Sequence, residues 1–156
     1  TSGFSETAAG SDRVRPARLD DVEQMARLEI EVSGIRRDDD YRFAVENRGK
    51  IWDILAYEGQ GGAVEGFLIS AKHPAMSMLG PGVMRTQEQA AALVAKALDR
   101  HAGGAVVFLV PVLCGDLVRR MYGWGARNCE LHFCQVRGKF QPFAGVNMPS
   151  FLPETG

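Results

Sequence analysis

Between residues 76 and 112 the chain changes texture in a fixed order. An apolar run, MSMLGPGVM, comes first. A polar corner follows, then apolar residues at helical spacing, then the unbroken apolar run AVVFLVPV. Ala90, Leu93, Val94, Ala97 and Leu98 recur at the steps of one helix face. Thr86 with Gln89 three residues later is a capping-box start, and His101 and Gly103 close the repeat. Residues 105–112 show no polar alternation, which predicts a strand buried on both faces. Pro81 has no N–H to give a ladder, so the first run is expected to bulge or split there.

The flanking sequence extends the same alternation. Residues 1–12 are small, polar and aperiodic and read as a flexible tail or linker ahead of one domain over 13–156. VRPARL predicts a short strand with Pro16 at its edge. Asp20 with Glu23 predicts a capped helix whose buried stripe is Val22, Met25, Leu28 and Val32, and Gly34 stops it. A weaker helix is expected over 39–46, with Tyr41 and Val45 on one face and Gly49 at its end. IWDILAYEG and VEGFLIS, joined by Gly59-Gln60-Gly61-Gly62, read as a hairpin. Past residue 112 a short helix carries Leu117, Val118, Met121 and Tyr122 on one side. NCELHFCQV alternates as a strand does, with Cys129, Leu131 and Phe133 on one face and Glu130, His132 and Cys134 on the other. The aromatic and proline-rich residues 140–151 read as an extended tail that lies across the domain, finishes the sheet or packs on a partner chain. The order is α/β: a central mixed sheet flanked by about four helices.

Bulk composition narrows the function classes. The chain has 156 residues, enough for one domain with its own core. Its net charge of -1 supplies no field that would gather nucleic acid or an anionic membrane surface. Cys114, Cys129 and Cys134 cannot all pair and form no CxxC, so reduced thiols and a cytoplasmic location are expected. Cys129 and Cys134 would point to opposite faces of a strand, so no metal site is expected. No apolar run reaches membrane-spanning length and no secretory signal is visible. The first residue is Thr1, which reads as a fragment or processed chain. The ending LPETG matches a sortase signal. With no apolar tail behind it, it reads as chance or an added tag.

The ordered set resembles the GNAT N-acetyltransferase superfamily from Val14 onward. DRVRPARLDDVEQMARL resembles that family's opening strand and first helix. Residues 86–98 stand where its third helix begins, after its fourth strand. VVFLVPVLCGDLVRRMYGWGAR resembles its fifth strand and fourth helix. The resemblance implies acetyl-CoA as co-substrate, with the pantetheine arm between the fourth and fifth strands. It also implies a pyrophosphate on the amides at the third helix's N-terminus, where free N–H groups and the helix dipole favour an anion. Family members keep that turn low with Gln/Arg-x-x-Gly-x-Gly/Ala. The matching segment here is Val83, Met84, Arg85, Thr86, Gln87, Glu88 and Gln89, and it has neither glycine. Two readings stand: an altered acetyl-CoA site in which Arg85 supplies charge, or a capped helix start whose amides Thr86 and Gln89 satisfy internally.

The same resemblance puts Tyr122 where the family places the donor to the leaving CoA thiolate, with a core aromatic beside Trp124 as the alternative. His73, Glu130 and His132 are candidate bases, each with a surface or loop alternative. Cys114 reads as a small strand-end residue rather than a nucleophile. The implied activity is direct transfer of an acetyl group to a small-molecule or peptide amine. The alternative is a GNAT-like binding or scaffolding domain that does not transfer, as one half of a tandem protein or in a homodimer.

Overall fold

The computed structural model describes residues 8–72, 74 and 76–150. The elements are β1 (Val14–Pro16), α1 (Val22–Ser33), α2 (Asp38–Glu46), β2 (Trp52–Glu58), β3 (Val64–Ala71), β4 (Ser77–Met84), α3 (Gln87–Arg100), β5 (Val106–Phe108), α4 (Gly115–Gly123) and β6 (Val146–Met148). The sheet order is β1-β2-β3-β4-β5, with β6 also on β4. β1 to β4 pair antiparallel in sequence, β5 joins β4 in parallel, and β6 joins β4 antiparallel. This is the mixed α/β sheet with four helices that the periodicities predict. Among the described residues ahead of Val14, Ala8 is buried and Ser11–Arg13 make a 3-10 turn.

Alternation along the strands sends side chains to two layers. Leu55, Tyr57 and Leu68 meet Ala90, Leu93, Val94 and Ala97 of α3 and Leu117 and Met121 of α4. Ile54, Ala56, Phe67 and Ile69 face the other way, onto Met25, Leu28 and Val32 of α1 and Tyr41 of α2. Gly66 lies under α3, and a Cβ there would sit 3.2 Å from Leu93 Cδ1. Each helix thus buries one stripe, and the sheet separates two apolar layers.

Several local expectations are corrected. Asp20 and Glu23 do not cap α1. A 3-10 turn over Leu19–Asp21 precedes it, and Asp21 accepts from the Arg18 N–H at 2.7 Å. Glu23 instead pairs with Arg27 and Arg36 on the exposed face, and Asp21 supplies the carboxylate that a capping Glu23 would have offered at the helix start. α2 ends at Asn47 rather than Gly49. Its left-handed backbone (φ 47°) lets the side chain bond both the N–H and C=O of Trp52. Gly34 stops α1 as expected, at φ 76° with its N–H on Ile30.

Two strand expectations fail together. Residues 105–112 form only the three-residue β5, half-buried, with β4 as its pairing partner. Residues 129–136 form no strand, and Leu131 and Phe133 are 68% and 86% exposed. A strand needs a neighbouring edge for its backbone groups, and an alternating sequence alone does not supply one. The tail does finish the sheet, as β6.

Candidate functional site

β4 divides at its middle. Ser77, Met78 and Leu79 pair with Val106, Val107 and Phe108 of β5. Gly82, Val83 and Met84 pair with Met148, Asn147 and Val146 of β6, while β3 holds the opposite edge of the same residues. The partner changes at Gly80-Pro81, where the proline breaks the ladder as its missing N–H requires. A Cβ on Gly80 would collide with the Pro149 carbonyl, so the chain after β6 crosses closely over this point. A Cβ on Gly145 would collide with the Met84 carbonyl, so glycine is needed where β6 enters. Val146 and Met148 are 2% and 0% exposed. The Ala144 N–H on Val32 O at 2.8 Å pins the approach to α1.

β4 leads into the start of α3, and there the capping box is complete. Thr86 Oγ1 accepts from the Gln89 N–H at 3.3 Å, and Gln89 Oε1 accepts from the N–H groups of Thr86 at 3.1 Å and Arg85 at 3.0 Å. The Arg85 N–H also reaches Glu65 O, and Gln89 Nε2 donates to Glu65 at 2.9 Å. Gln87 Oε1 takes the Leu117 N–H at 3.0 Å, which ties the start of α3 to the start of α4. The Arg85 guanidinium is held by Glu31 of α1 at 2.6 Å. Glu88 is exposed in the first turn and already complements the helix dipole.

The seven residues of the turn therefore divide by environment. Val83 and Met84 are buried strand residues, and Arg85, Thr86 and Glu88 are exposed. Gln87 is half-buried and Gln89 is buried. Tyr122 lies on the outer side of α4, 55% exposed, whereas Leu117 and Met121 of the same helix are buried. It is a surface phenol, not a core aromatic. Cys114 is buried just ahead of α4, and burial pushes its thiol up, away from the thiolate a nucleophile needs.

The acetyl-CoA expected from the resemblance does not fit this arrangement. Strand-like contact with the fork would need the free edge of Gly82, Val83 and Met84, and β6 holds it. A diphosphate would need open amides at the start of α3, and the capping box takes those of Arg85, Thr86 and Gln89. Among the described residues, Gln87 and Glu88 keep N–H groups without an internal acceptor, beside a carboxylate that repels an anion.

The other candidates are dispersed. Glu130 and His132 bond each other at 3.0 Å on an exposed segment, away from any ladder. Among the described residues no three His, Cys, Asp or Glu side chains converge on a metal-sized site. His73 lies outside the described residues, as does the LPETG ending. No helix among the described residues is long and apolar enough to cross a membrane. A concavity of about 490 Å³, lined by Asn47, Lys50, Trp52, Asp53, Lys72 and Arg100, lies at the opposite end of α3 from the fork.

Sequence reasoning missed two polar clusters. Glu29 of α1 is fully buried and accepts twice from Arg37, whose guanidinium also lies 5.7 Å from the centre of the Tyr41 ring. Burial, with the Glu29 carboxylate nearby, pushes the Tyr41 phenol well above its ordinary range. The second cluster joins His101 Nε2 to Ser70 Oγ at 2.9 Å, and Ser70 donates to Asp53 O at 3.1 Å. The serine proton is thus committed, so the neutral imidazole is the donor at Nε2. Burial, with Lys72 and Arg100 nearby, lowers the His101 pKa despite Asp53. A serine that donates to a carbonyl is not a poised nucleophile, so this cluster is structural.

No protein-family model and no curated protein match the chain. Solved structures do. A mutant of the BH1408 protein from Bacillus halodurans is 14% identical with TM-score 0.53, over 81% of this chain and 99% of that one. A ribosomal-protein-alanine N-acetyltransferase from Brucella melitensis biovar Abortus 2308 is 19% identical with TM-score 0.52, over 80% and 99%. At such identities the likeness is one of fold. The chain has a GNAT-like N-acyltransferase fold.

Proposed function

We propose that this chain is the non-transferring domain of an N-acetyltransferase. In this reading it is a cytoplasmic binding or scaffolding unit that serves acetyl transfer to an amine by a partner domain of the same fold. The observation that carries it is the pairing of Val146–Met148 with Gly82, Val83 and Met84, which closes the fork. Opening it would expose Val146 and Met148, at about 1.5–3 kcal/mol each. The total, about 3–6 kcal/mol, would weaken any ligand of that edge roughly 10²- to 10⁴-fold. That is enough to remove an ordinary micromolar co-substrate from its working range.

A thermal-shift titration with acetyl-CoA, using CoA and ATP as controls, tests the proposal. No saturable shift at millimolar acetyl-CoA is expected. A ligand bound only to the folded state would add about 2.7 kcal/mol at a hundredfold excess over its Kd, and a shift of that form would overturn the proposal. A second reading is favoured by the exposure of Tyr122: the chain itself transfers acetyl from acetyl-CoA to an amine, with residues 83–89 holding the donor and Tyr122 serving the thiolate. It requires turnover by the isolated chain that falls in Tyr122→Phe.

A further inference from the structure

The concavity at the far end of α3 is cationic. Three cations, Lys50, Lys72 and Arg100, line it with a single carboxylate, Asp53. Arg100 is already paired with Asp53. Lys50 and Lys72 are exposed, and among the described residues neither ammonium has an acidic partner. A cleft lined by one sign of charge focuses its field and concentrates ions of the other sign.

The backbone holds both lysines in place. The Lys72 N–H on Ile51 O at 2.8 Å carries the β2–β3 pairing one step past Trp52 and Ala71. Lys50 takes a left-handed backbone (φ 52°), uncommon for a side chain of this kind, with its N–H on Asn47 O at 2.9 Å. The last carbonyls of α3 would repel an anion, but those of Ala97, Leu98 and Asp99 accept from the N–H groups of His101 and Ala102. Half-buried Trp52 is the apolar member of the lining.

We propose that this concavity binds a phosphate dianion, free or as the monoester of a small organic molecule, on the Lys50 and Lys72 ammonium groups beside Arg100. Two unpaired ammonium groups match a dianion, whereas a single carboxylate would leave one of them uncompensated. A volume of about 490 Å³ has the scale of a small-molecule site. His101 stands behind it, faced by Ser70 of β3, Asp53 of β2, Lys72 after β3 and Arg100 of α3. A bound anion offsets the two cations that help to keep this imidazole neutral, so His101 becomes an internal reporter. The inference goes beyond the proposed function and holds whether or not the chain transfers acetyl groups.

Amide and imidazole NMR of the full chain reads the site at constant ionic strength. The probes are inorganic phosphate, a nucleoside monophosphate and the matching nucleoside. Near pH 8 a monoester is a dianion, since its second pKa is about 6. Saturable shifts at Lys50, Trp52 and Lys72 are expected below millimolar monophosphate, with none from the nucleoside. Tighter binding of the monoester than of inorganic phosphate would assign the organic source, and equal binding the free ion. Lys50→Gln and Lys72→Gln should each weaken binding about tenfold or more while the melting temperature holds, because both side chains stand in water. In a pH series His101 should titrate at higher pH with the anion bound. Absence of saturation at millimolar phosphate would overturn the proposal. So would equal binding of the nucleoside, unchanged affinity in the double variant, or an unmoved His101 titration. Acetyl-CoA, CoA and ATP also carry phosphate. A thermal shift that arises here disappears in the double variant, whereas one that arises at the fork persists, so the two proposals fail separately.

Discussion

At the scale of single residues, two buried polar groups set the sharpest expectations. Glu29 is 0% exposed and leans on Arg37, with its second oxygen unpartnered. Arg37→Ala would leave a buried carboxylate with no counter-charge, at a cost of about 3–5 kcal/mol, measurable by urea unfolding. Arg37→Lys would recover only part, because one ammonium cannot reproduce the paired donors. His101 gives a pH dependence whose sign is fixed. Its folded pKa lies below the ordinary value of 6.5, so on acidification the unfolded chain takes up the proton first. The stabilisation is complete above about pH 6.5 and is lost as pH falls toward the lowered folded value. Unfolding midpoints near pH 8 and pH 5.5 should therefore differ, and His101→Asn should remove that part of the slope. Neither cluster was legible beforehand. Glu29 sits in the sequence as one more acid on an amphipathic helix, and its burial follows from where α2 lies.

At the scale of elements, α3 was the most readable piece and β6 the least. The helix starts at Thr86 and ends at His101 as its capping residues and period dictate. Thr86→Ala should cost about 0.5–2 kcal/mol by freeing the Gln89 amide, with the melting temperature as readout. β6 was legible only as an extended tail, because three residues without strong alternation do not say which edge they will take. Its role can be probed without acetyl-CoA. Gly145→Val should force β6 off the Met84 carbonyl, with a stability loss approaching the 3–6 kcal/mol of exposing Val146 and Met148. An unchanged melting temperature in Gly145→Val would mean that β6 contributes little to the fold.

At the scale of the whole molecule, ion pairs tie the opening strand to the rest. Arg15 of β1 bonds Asp21 at 2.7 Å and 2.9 Å and Glu58 of β2 at 2.5 Å. Burial opposes the Asp21 charge, but Arg15 and the Arg18 N–H hold its carboxyl below the ordinary range. A depressed carboxyl stabilises above its unfolded pKa and loses that contribution as pH falls through the folded value, so this part of the stability should disappear below about pH 4. Asp21→Asn should flatten the acid limb of the unfolding curve. The Cys114 thiol, buried and raised, should react slowly with maleimide in the native domain while exposed Cys129 and Cys134 react fast.

By itself the sequence determined what local physics decides. Helical and two-residue periods, capping residues and glycine turns placed the elements in an order that leaves a mixed sheet between helices. They also showed that the turn before α3 lacks the glycines of a phosphate cradle. Only the tertiary structure decided which edges meet. Residues 105–112 and 129–136 both have strand-competent sequences, yet one is mostly unladdered and the other wholly so, because pairing needs a neighbour that no local pattern specifies. Val146–Met148 took the edge of β4 instead, since Val146 and Met148 find apolar room there and Gly145 permits the approach. That contact, made by residues far along the chain from the turn, closes the fork on which the functional reading depends.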